Sequence, residues 1–381
     1  MFLRKAFRSA ARELWCRLPS AKGLIYNGQG NVYLFVPING AGLGHLTRCL
    51  AIASRLRKYE PAAKIIFFTT SIGVSLVSRA GFVCYHIPPY ALLNSHITIQ
   101  QWNRLFYDNL MNVLSLHRPR TLVFDGSAPY LALRRIIYSI PSMKFIWIKR
   151  GLYKEEVDTK KINSFIRLFN LVITPAELVD DQPYPLGSTL RKVAPVRLLD
   201  KDQLLAKNSV IKALHLPQAS RCAYVQLGAG NINGISDLQK QIVDLLRENG
   251  VYVVVGKSPI SLEVDHVENA DGLIVDYPNS RYYSAFDFAV LAAGYNSVCE
   301  AVALGMPAIF IPNVQTGADD QYLRARQAEV FGPYVALGNF TKEDFSRSLE
   351  KLFALINAKN KNCFSLPNGA DEAALLIKDN G

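Results

Sequence analysis

AFDFAVLAAGYNSVCEAVALGMPAIFIPNVQTGADDQYLRA, residues Ala285 to Ala325, holds two short apolar runs, Phe288–Ala293 and Ala308–Pro312. Each has the length of a buried parallel strand. Between them Ser297–Leu304 reads as a helix, entered through Gly294-Tyr295-Asn296-Ser297 and closed by Gly305 ahead of Pro307. Strand, glycine turn, helix, strand is a βαβ unit, and the N–H groups at its helix entry suit an anion such as a phosphate. Glu300 stands one turn into the helix, where a carboxylate can accept from a ribose diol; the plainer alternative is a solvated helix residue. After the second strand, Asn313–Ala318 leads to Asp319-Asp320-Gln321, at the carboxyl edge where α/β sheets bind ligands.

The order G-x-N-S-x-x-E-A-x-x-x-G-x-P-x-I-x-I-P, then D-D-Q, resembles the nucleotide-sugar half of two-domain GT-B glycosyltransferases. It is most similar to the family 28 group, which contains the lipid-linked N-acetylglucosaminyltransferase of peptidoglycan synthesis and the plant galactolipid synthases. The resemblance implies an α/β fold of two Rossmann-like, doubly wound domains facing a cleft. It also implies Asn296 and Ser297 near a diphosphate, Glu300 on the ribose, Asp320 and Gln321 on sugar hydroxyls, and uridine as the base. The chain departs from many relatives at Ala293, where glycine is common, and at Tyr295, whose bulk is expected to narrow the donor pocket.

A second motif lies far upstream. The apolar run Asn31–Pro37 enters Asn39-Gly40-Ala41-Gly42-Leu43-Gly44-His45, and a helix follows from Leu46 to about Lys58. Glycines permit tight turns and close approach of a ligand to the backbone. Read alone, this is a weak dinucleotide signal. The next strand, Lys64–Thr69, ends in Thr69-Thr70-Ser71, without the acid that a nicotinamide ribose requires. The string GLGHLTRCLAIASRL resembles the N-terminal loop of the same glycosyltransferase group, which places Gly42, Gly44 and Arg48 on the acceptor or phosphate side.

Strands at Val83–Ile87, Thr121–Phe124, Lys144–Ile148 and Leu171–Thr174, with helices at Ile97–Leu116 and Pro129–Ile137, indicate a doubly wound sheet in the first half. Pro175–Leu198, with four prolines, reads as the interdomain linker. The pattern restarts with a strand at Ala223–Leu227, a glycine turn Gly228-Ala229-Gly230-Asn231, a helix Ile235–Asn249 and strands at Val251–Val255 and Leu273–Val275. Gly228, Gly230 and Asn231 are assigned to the donor side. The expected divisions are a basic amphipathic helix over 1–24, an acceptor-side domain over 25–190, a nucleotide-sugar domain over 191–355, and a C-terminal segment, 356–381, whose helix in such folds often returns to the first domain.

Sugar transfer needs a base for the acceptor hydroxyl, neutralisation of the diphosphate leaving group, and alignment of the two substrates. His45, at the mouth of a glycine loop, is the candidate base, and Asp125, ending a later strand of the same sheet, the candidate orienter. Arg48 and Arg150 are the basic side chains nearest the expected cleft. No acidic pair stands at a strand end to hold a divalent ion: Asp180-Asp181 falls in the proline-rich linker. No metal and no cofactor are expected, and helix N-termini at Gly228–Asn231 and Gly294–Ser297 supply positive dipole instead. Two alternatives use the same scaffold, a UDP-sugar hydrolase and an epimerase; a third is a non-catalytic nucleotide-sugar binder.

Length, 381 residues, suits two cores, and a net charge of +12 suits anionic partners without choosing among them. Aromatics are not interleaved with basic runs as nucleic-acid stacking platforms require, so nucleic acid is not an expected partner. Six scattered cysteines without a CxxC pair fit a reducing cytoplasm. Residues 1–22 carry six basic side chains against Glu13, with Leu3, Phe7, Ala10, Leu14 and Leu18 at helical spacing. Such a helix suits peripheral contact with an anionic membrane surface, an organellar transit peptide, or packing on the protein itself. The expected partners are a nucleotide-sugar donor and a glycan or lipid-linked acceptor.

Overall fold

The computed structural model describes residues 26–38, 42–179, 189–228, 236–257, 269–314, 316–358 and 366–381. The basic segment 1–22, Gly230, Asn231 and Asp180-Asp181 lie outside the described residues.

Among the described residues two parallel sheets carry the fold. The first is formed by β1 (Gln29–Pro37), β2 (Lys64–Thr69), β3 (Val83–His86), β4 (Pro119–Asp125), β5 (Lys144–Ile148), β6 (Leu171–Pro175) and β7 (Leu190–Val193), in the order β3-β2-β1-β4-β5-β6-β7. The second is formed by β8 (Cys222–Gln226), β9 (Tyr252–Lys257), β10 (Gly272–Val275), β11 (Phe288–Ala292), β12 (Ala308–Ile311) and β13 (Tyr334–Ala336), in the order β10-β9-β8-β11-β12-β13. Their strands are short and apolar because both faces of each sheet are covered. Leu34, Val36 and Phe124 pack on one side of the first sheet; Phe35, Val123 and the helix residues Leu46, Leu50 and Ala53 pack on the other. In the second sheet Tyr224 and Leu291 face one layer, and Val225, Phe288 and Val290 the other.

Strand order reverses direction between β1 and β4 in the first sheet and between β8 and β11 in the second. Crevices open outside the carboxyl ends of strands at such switch points, because neighbouring connections leave to opposite faces. The Gly44–Tyr59 helix, whose first turn carries His45, follows β1; Asp125 ends β4, Gly228 follows β8 and Gly294 follows β11. Topology alone therefore brings these four positions to two switch points.

Two sequence expectations change. Leu190–Val193, inside the stretch expected to be linker, is β7, paired in parallel with β6 from Val172↔Leu190 to Pro175↔Val193. Prolines on either side masked a short edge strand; the first sheet thus runs past residue 190. Short elements also escaped periodicity: the helices Val74–Arg79, Lys207–Leu214 and Gln321–Ala328, and strand β13. Each is too brief for a hydrophobic period to show.

The C-terminal helix, Gly369–Asn380, packs on the Gly44–Tyr59 helix of the first half. Ala370, Ala373, Ala374 and Ile377 are fully buried in the layer that holds Leu50 and Phe35. Asp371 accepts from Arg55 Nε at 3.2 Å and Tyr59 Oη at 2.5 Å. The helix begins against the backbone of Ala194, and a Cβ at Gly369 would lie 1.8 Å from that carbonyl oxygen, so only glycine fits there.

Candidate active site

Asp125 is fully buried at the end of β4, and its two carboxylate oxygens are shared among side chains of the Gly44–Tyr59 helix. His45 Nδ1 lies 2.6 Å from Oδ1; Arg48 donates from Nε to Oδ2 at 3.0 Å and from its terminal nitrogen to Oδ1 at 2.6 Å. Residues three apart on a helix share a face, which is how one carboxylate holds both. Burial alone would raise the Asp125 pKa, but the Arg48 and His45 charges and hydrogen bonds outweigh it and hold the group below the usual carboxylate range. An ionised carboxylate only accepts, so the shorter contact, to Asp125, assigns the proton to Nδ1 and the lone pair to Nε2, although the Arg48 terminal nitrogen also lies 2.9 Å from Nδ1. Burial, with Arg48 and Arg150 nearby, depresses the His45 pKa against the pull of Asp125. The imidazole is neutral near pH 7, its side chain 15% exposed. That is the form a general base requires.

Arg48 therefore does not reach the cleft as the sequence suggested. It is 2% exposed and spent on Asp125, and its guanidinium lies 5.5 Å from the centre of the Tyr295 ring. Tyr295 corrects a second expectation. It opens the Tyr295–Leu304 helix but turns inward, 4% exposed, and so does not narrow the donor pocket. Its hydroxyl donates to Ala176 O at 3.1 Å and accepts from Val196 N at 3.0 Å. Arg150 and Arg324 also lie over its ring, at 5.4 and 6.0 Å.

Those two arginines belong to a network that sequence reading missed. Fully buried Arg324 donates to both oxygens of Glu177 at 2.8 and 3.1 Å and to both of Asp319 at 2.6 and 3.2 Å. Arg150 donates to Asp319 at 2.8 Å. Buried ions cost several kcal/mol each unless paired; two cations and two carboxylates here sum to zero. The arginines hold Asp319 far below the usual carboxylate range despite burial, so it stays ionised. Asp319 is thus engaged internally, and Arg150 is held in a bridge between the halves. The signal in the sequence was an arginine four residues after Asp320, on the face its helix buries, though nothing marked Glu177 as its partner.

On the donor side, Gly294 is extended ahead of the Tyr295–Leu304 helix, leaving the first N–H groups open, and an added Cβ at Gly294 or Gly228 would meet nothing within 4 Å. Gly228 has φ +103°, where glycine is at ease. Asn296 reaches across to the other half, donating from Nδ2 to Gly44 O at 3.4 Å; Ser297 follows it, half-buried. Tyr277 Oη donates to Thr47 Oγ1 at 2.8 Å, a second contact between the halves. Glu300 is 9% exposed, and burial lifts its pKa to about 7 although Ser280, Arg197 and the Leu198 backbone pull it down. Asp320 caps the Gln321–Ala328 helix, accepting from Leu323 N at 2.9 Å, and Gln321 Oε1 accepts from Asn313 N at 2.9 Å. Both brace the loop after β12; Asp320 has a second carboxylate oxygen beyond the cap, and the Gln321 amide retains its N–H donors. Of the predicted residues, His45, Asp125 and Arg48 come together, Asn296 meets the Gly44 loop, and Arg150 joins Asp319.

Two parallel α/β sheets whose switch-point loops meet define a GT-B scaffold. The fold matches Acinetobacter baumannii MurG, with TM-score 0.57 at 14% identity over 92% of this chain and 99% of that one. It also matches the spinosyn rhamnosyltransferase SpnG, with TM-score 0.57 at 16% identity over 91% and 95%. Residues 233–374 match the glycosyltransferase family 28 C-terminal domain. A relative by sequence is the UDP-N-acetylglucosamine–N-acetylmuramyl-(pentapeptide) pyrophosphoryl-undecaprenol N-acetylglucosamine transferase of Clostridioides difficile, 24% identical over 90% of this chain and 87% of its own. The enzyme of that name from Christiangramia forsetii is 26% identical over 91% and 98%. The chain is a glycosyltransferase of GT-B fold, similar over residues 233–374 to the family 28 C-terminal domain.

Proposed function

We propose that the chain moves a sugar from a UDP-sugar to a hydroxyl of a lipid-linked acceptor, with His45 as general base and Asp125 as its orienter. The observation that carries this is the meeting of the two glycine loops, where Asn296 touches Gly44 one residue from His45. The acceptor oxygen gives its proton to His45 Nε2 and bonds to the anomeric carbon as the bond from that carbon to the diphosphate breaks. Charge developing on the departing diphosphate faces the helix entry at Gly294–Ser297, whose N–H groups stabilise it in place of a metal. Asn296 and Ser297 serve the diphosphate, Glu300 the ribose diol, and Asp320 and Gln321 the sugar hydroxyls, with Gly228, Gly230 and Asn231 as a second phosphate-facing turn. UDP-N-acetylglucosamine is the first donor to try, since the curated relatives are named for it. The same names support an acceptor carried by a polyprenyl pyrophosphate; the basic residues 1–22 would touch anionic lipid, with the chain in the cytoplasm.

A thermal-shift series tests the donor half, because a ligand of the folded state raises the melting temperature by mass action. UDP and UDP-N-acetylglucosamine are expected to stabilise the full chain, and Glu300→Ala to weaken the effect. Absence of stabilisation by any uridine nucleotide would overturn the assignment. Release of free sugar at the full rate without acceptor would favour the hydrolase instead.

A further inference from the structure

Two loops meet between the halves: residues 149–154, which follow β5, and the loop from β12 to the Gln321–Ala328 helix. Tyr153 and Asp319 form an antiparallel bridge. On either side of it Lys154 N donates to Ala318 O at 3.0 Å and Asp320 N donates to Leu152 O at 3.2 Å. The Lys154 ammonium reaches further along the loop and donates to Val314 O and Thr316 O, both at 2.8 Å. One residue of the first half thus serves three carbonyls of the second, at alternate positions 314, 316 and 318.

A loop away from regular structure must still find partners for its backbone groups. From its own half this one has the Thr316 hydroxyl, shared between Asn313 O at 3.2 Å and Asp319 O at 2.7 Å, and the Gln321 amide oxygen, which accepts from Asn313 N. A hydroxyl has one proton and serves one carbonyl at a time, whereas an ammonium has three and serves two at once. Asp320 and Gln321, assigned above to the sugar hydroxyls, stand directly after these anchors, and the N–H of Asp320 is itself one of them. Their side chains meet a sugar only where the loop sets them. Arg150 also ties the loop to the first half through Asp319, but it lies over Tyr295 at the donor helix. Both bonds of the Lys154 ammonium go to the loop, so Lys154 separates the sugar end of the site from the diphosphate end.

We infer that Lys154, in the acceptor half, is a positioning residue for the sugar of the donor: it fixes the loop that presents Asp320 and Gln321, and leaves the nucleotide to Asn296, Ser297 and Glu300. This rests on the donor assignment above and deepens it. Recognition of the sugar is then shared between the halves, and a substitution outside the nucleotide-sugar domain alters it.

The test measures, by calorimetry on the full chain, dissociation constants for UDP and for UDP-N-acetylglucosamine, UDP-glucose and UDP-galactose. In Lys154→Met the affinity for UDP should stay within about twofold of wild type, while that for the UDP-sugar that wild type binds tightest falls about tenfold. Lys154→Arg, whose guanidinium can also donate to two carbonyls, should keep most of the sugar affinity. Lys154→Gln stands in should the Met variant fold poorly. An unchanged ratio of UDP-sugar to UDP affinity overturns the inference, as do equal losses of both, and either result leaves the donor assignment standing. If wild type binds none of the four nucleotides, the donor assignment itself fails and takes the inference with it.

Discussion

At the scale of single residues, proton positions set the expected chemistry. His45 has a depressed pKa, so its acid limb in kcat/KM should fall below the ordinary histidine value of 6.5. Asp125→Asn can hold the ring but not stabilise an imidazolium, and it should lower kcat by about 10²–10⁴ with the UDP-induced thermal shift intact. An unchanged kcat would remove the pair from the mechanism. Glu300 has a folded pKa of about 7 against 4.5 unfolded. A raised carboxylate pKa means that its contribution to stability is complete below the unfolded pKa and is lost as pH rises through 7. Binding has the opposite sense, since only the ionised form accepts both ribose hydroxyls. UDP affinity should therefore fall as pH drops through 7, and Glu300→Gln should flatten that dependence. A wild-type affinity constant from pH 6 to 8 would exclude Glu300 from the ribose.

At the scale of elements, Tyr295 ties the donor helix to the chain just after β6 and to the chain that leaves β7 for the second half, through Ala176 and Val196, while its ring lies beside Arg48. Tyr295→Phe leaves a backbone N–H and a carbonyl without that partner and should cost about 1–3 kcal/mol, read as a lower melting temperature. Arg48→Met leaves Asp125 as a buried, poorly paired charge and should cost about 3–5 kcal/mol. How far the sequence disclosed these elements follows from physical range. The βαβ unit with its Gly294 turn and the meeting of His45 with Asp125 were legible, because short apolar runs and strand-end polar residues are local signals. Arg48, Arg324 and Tyr295 were misjudged or missed: His45 and Asp125, 80 residues apart, were each marked by a strand end, whereas no local signal names the distant partners of these three. Periodicity carries no record of a contact at that separation.

At the scale of the whole molecule, the proposed mechanism gives the helix entry at Gly294–Ser297 the place that a divalent ion holds in other transferases. Activity should persist with excess chelator; loss restored only by Mn²⁺ or Mg²⁺ would refute metal independence. Among the described residues no helix is long and apolar enough to cross a membrane, and the proposed lipid contact is residues 1–22. Sedimentation with anionic liposomes should separate the full chain from a form lacking that segment, and equal binding by both would remove it.

The Gly369–Asn380 helix supplies part of the core of a half whose other parts were completed near Val193. During synthesis a ribosome must add more than 170 further residues before Ala370 and Ile377 reach the layer around Leu50. Through that interval the nascent first half exposes an apolar face. Residues translated this late are the ones that finish the first half, so a transcript stopped short of them would yield two sheets but leave the first one open to chaperones and proteases.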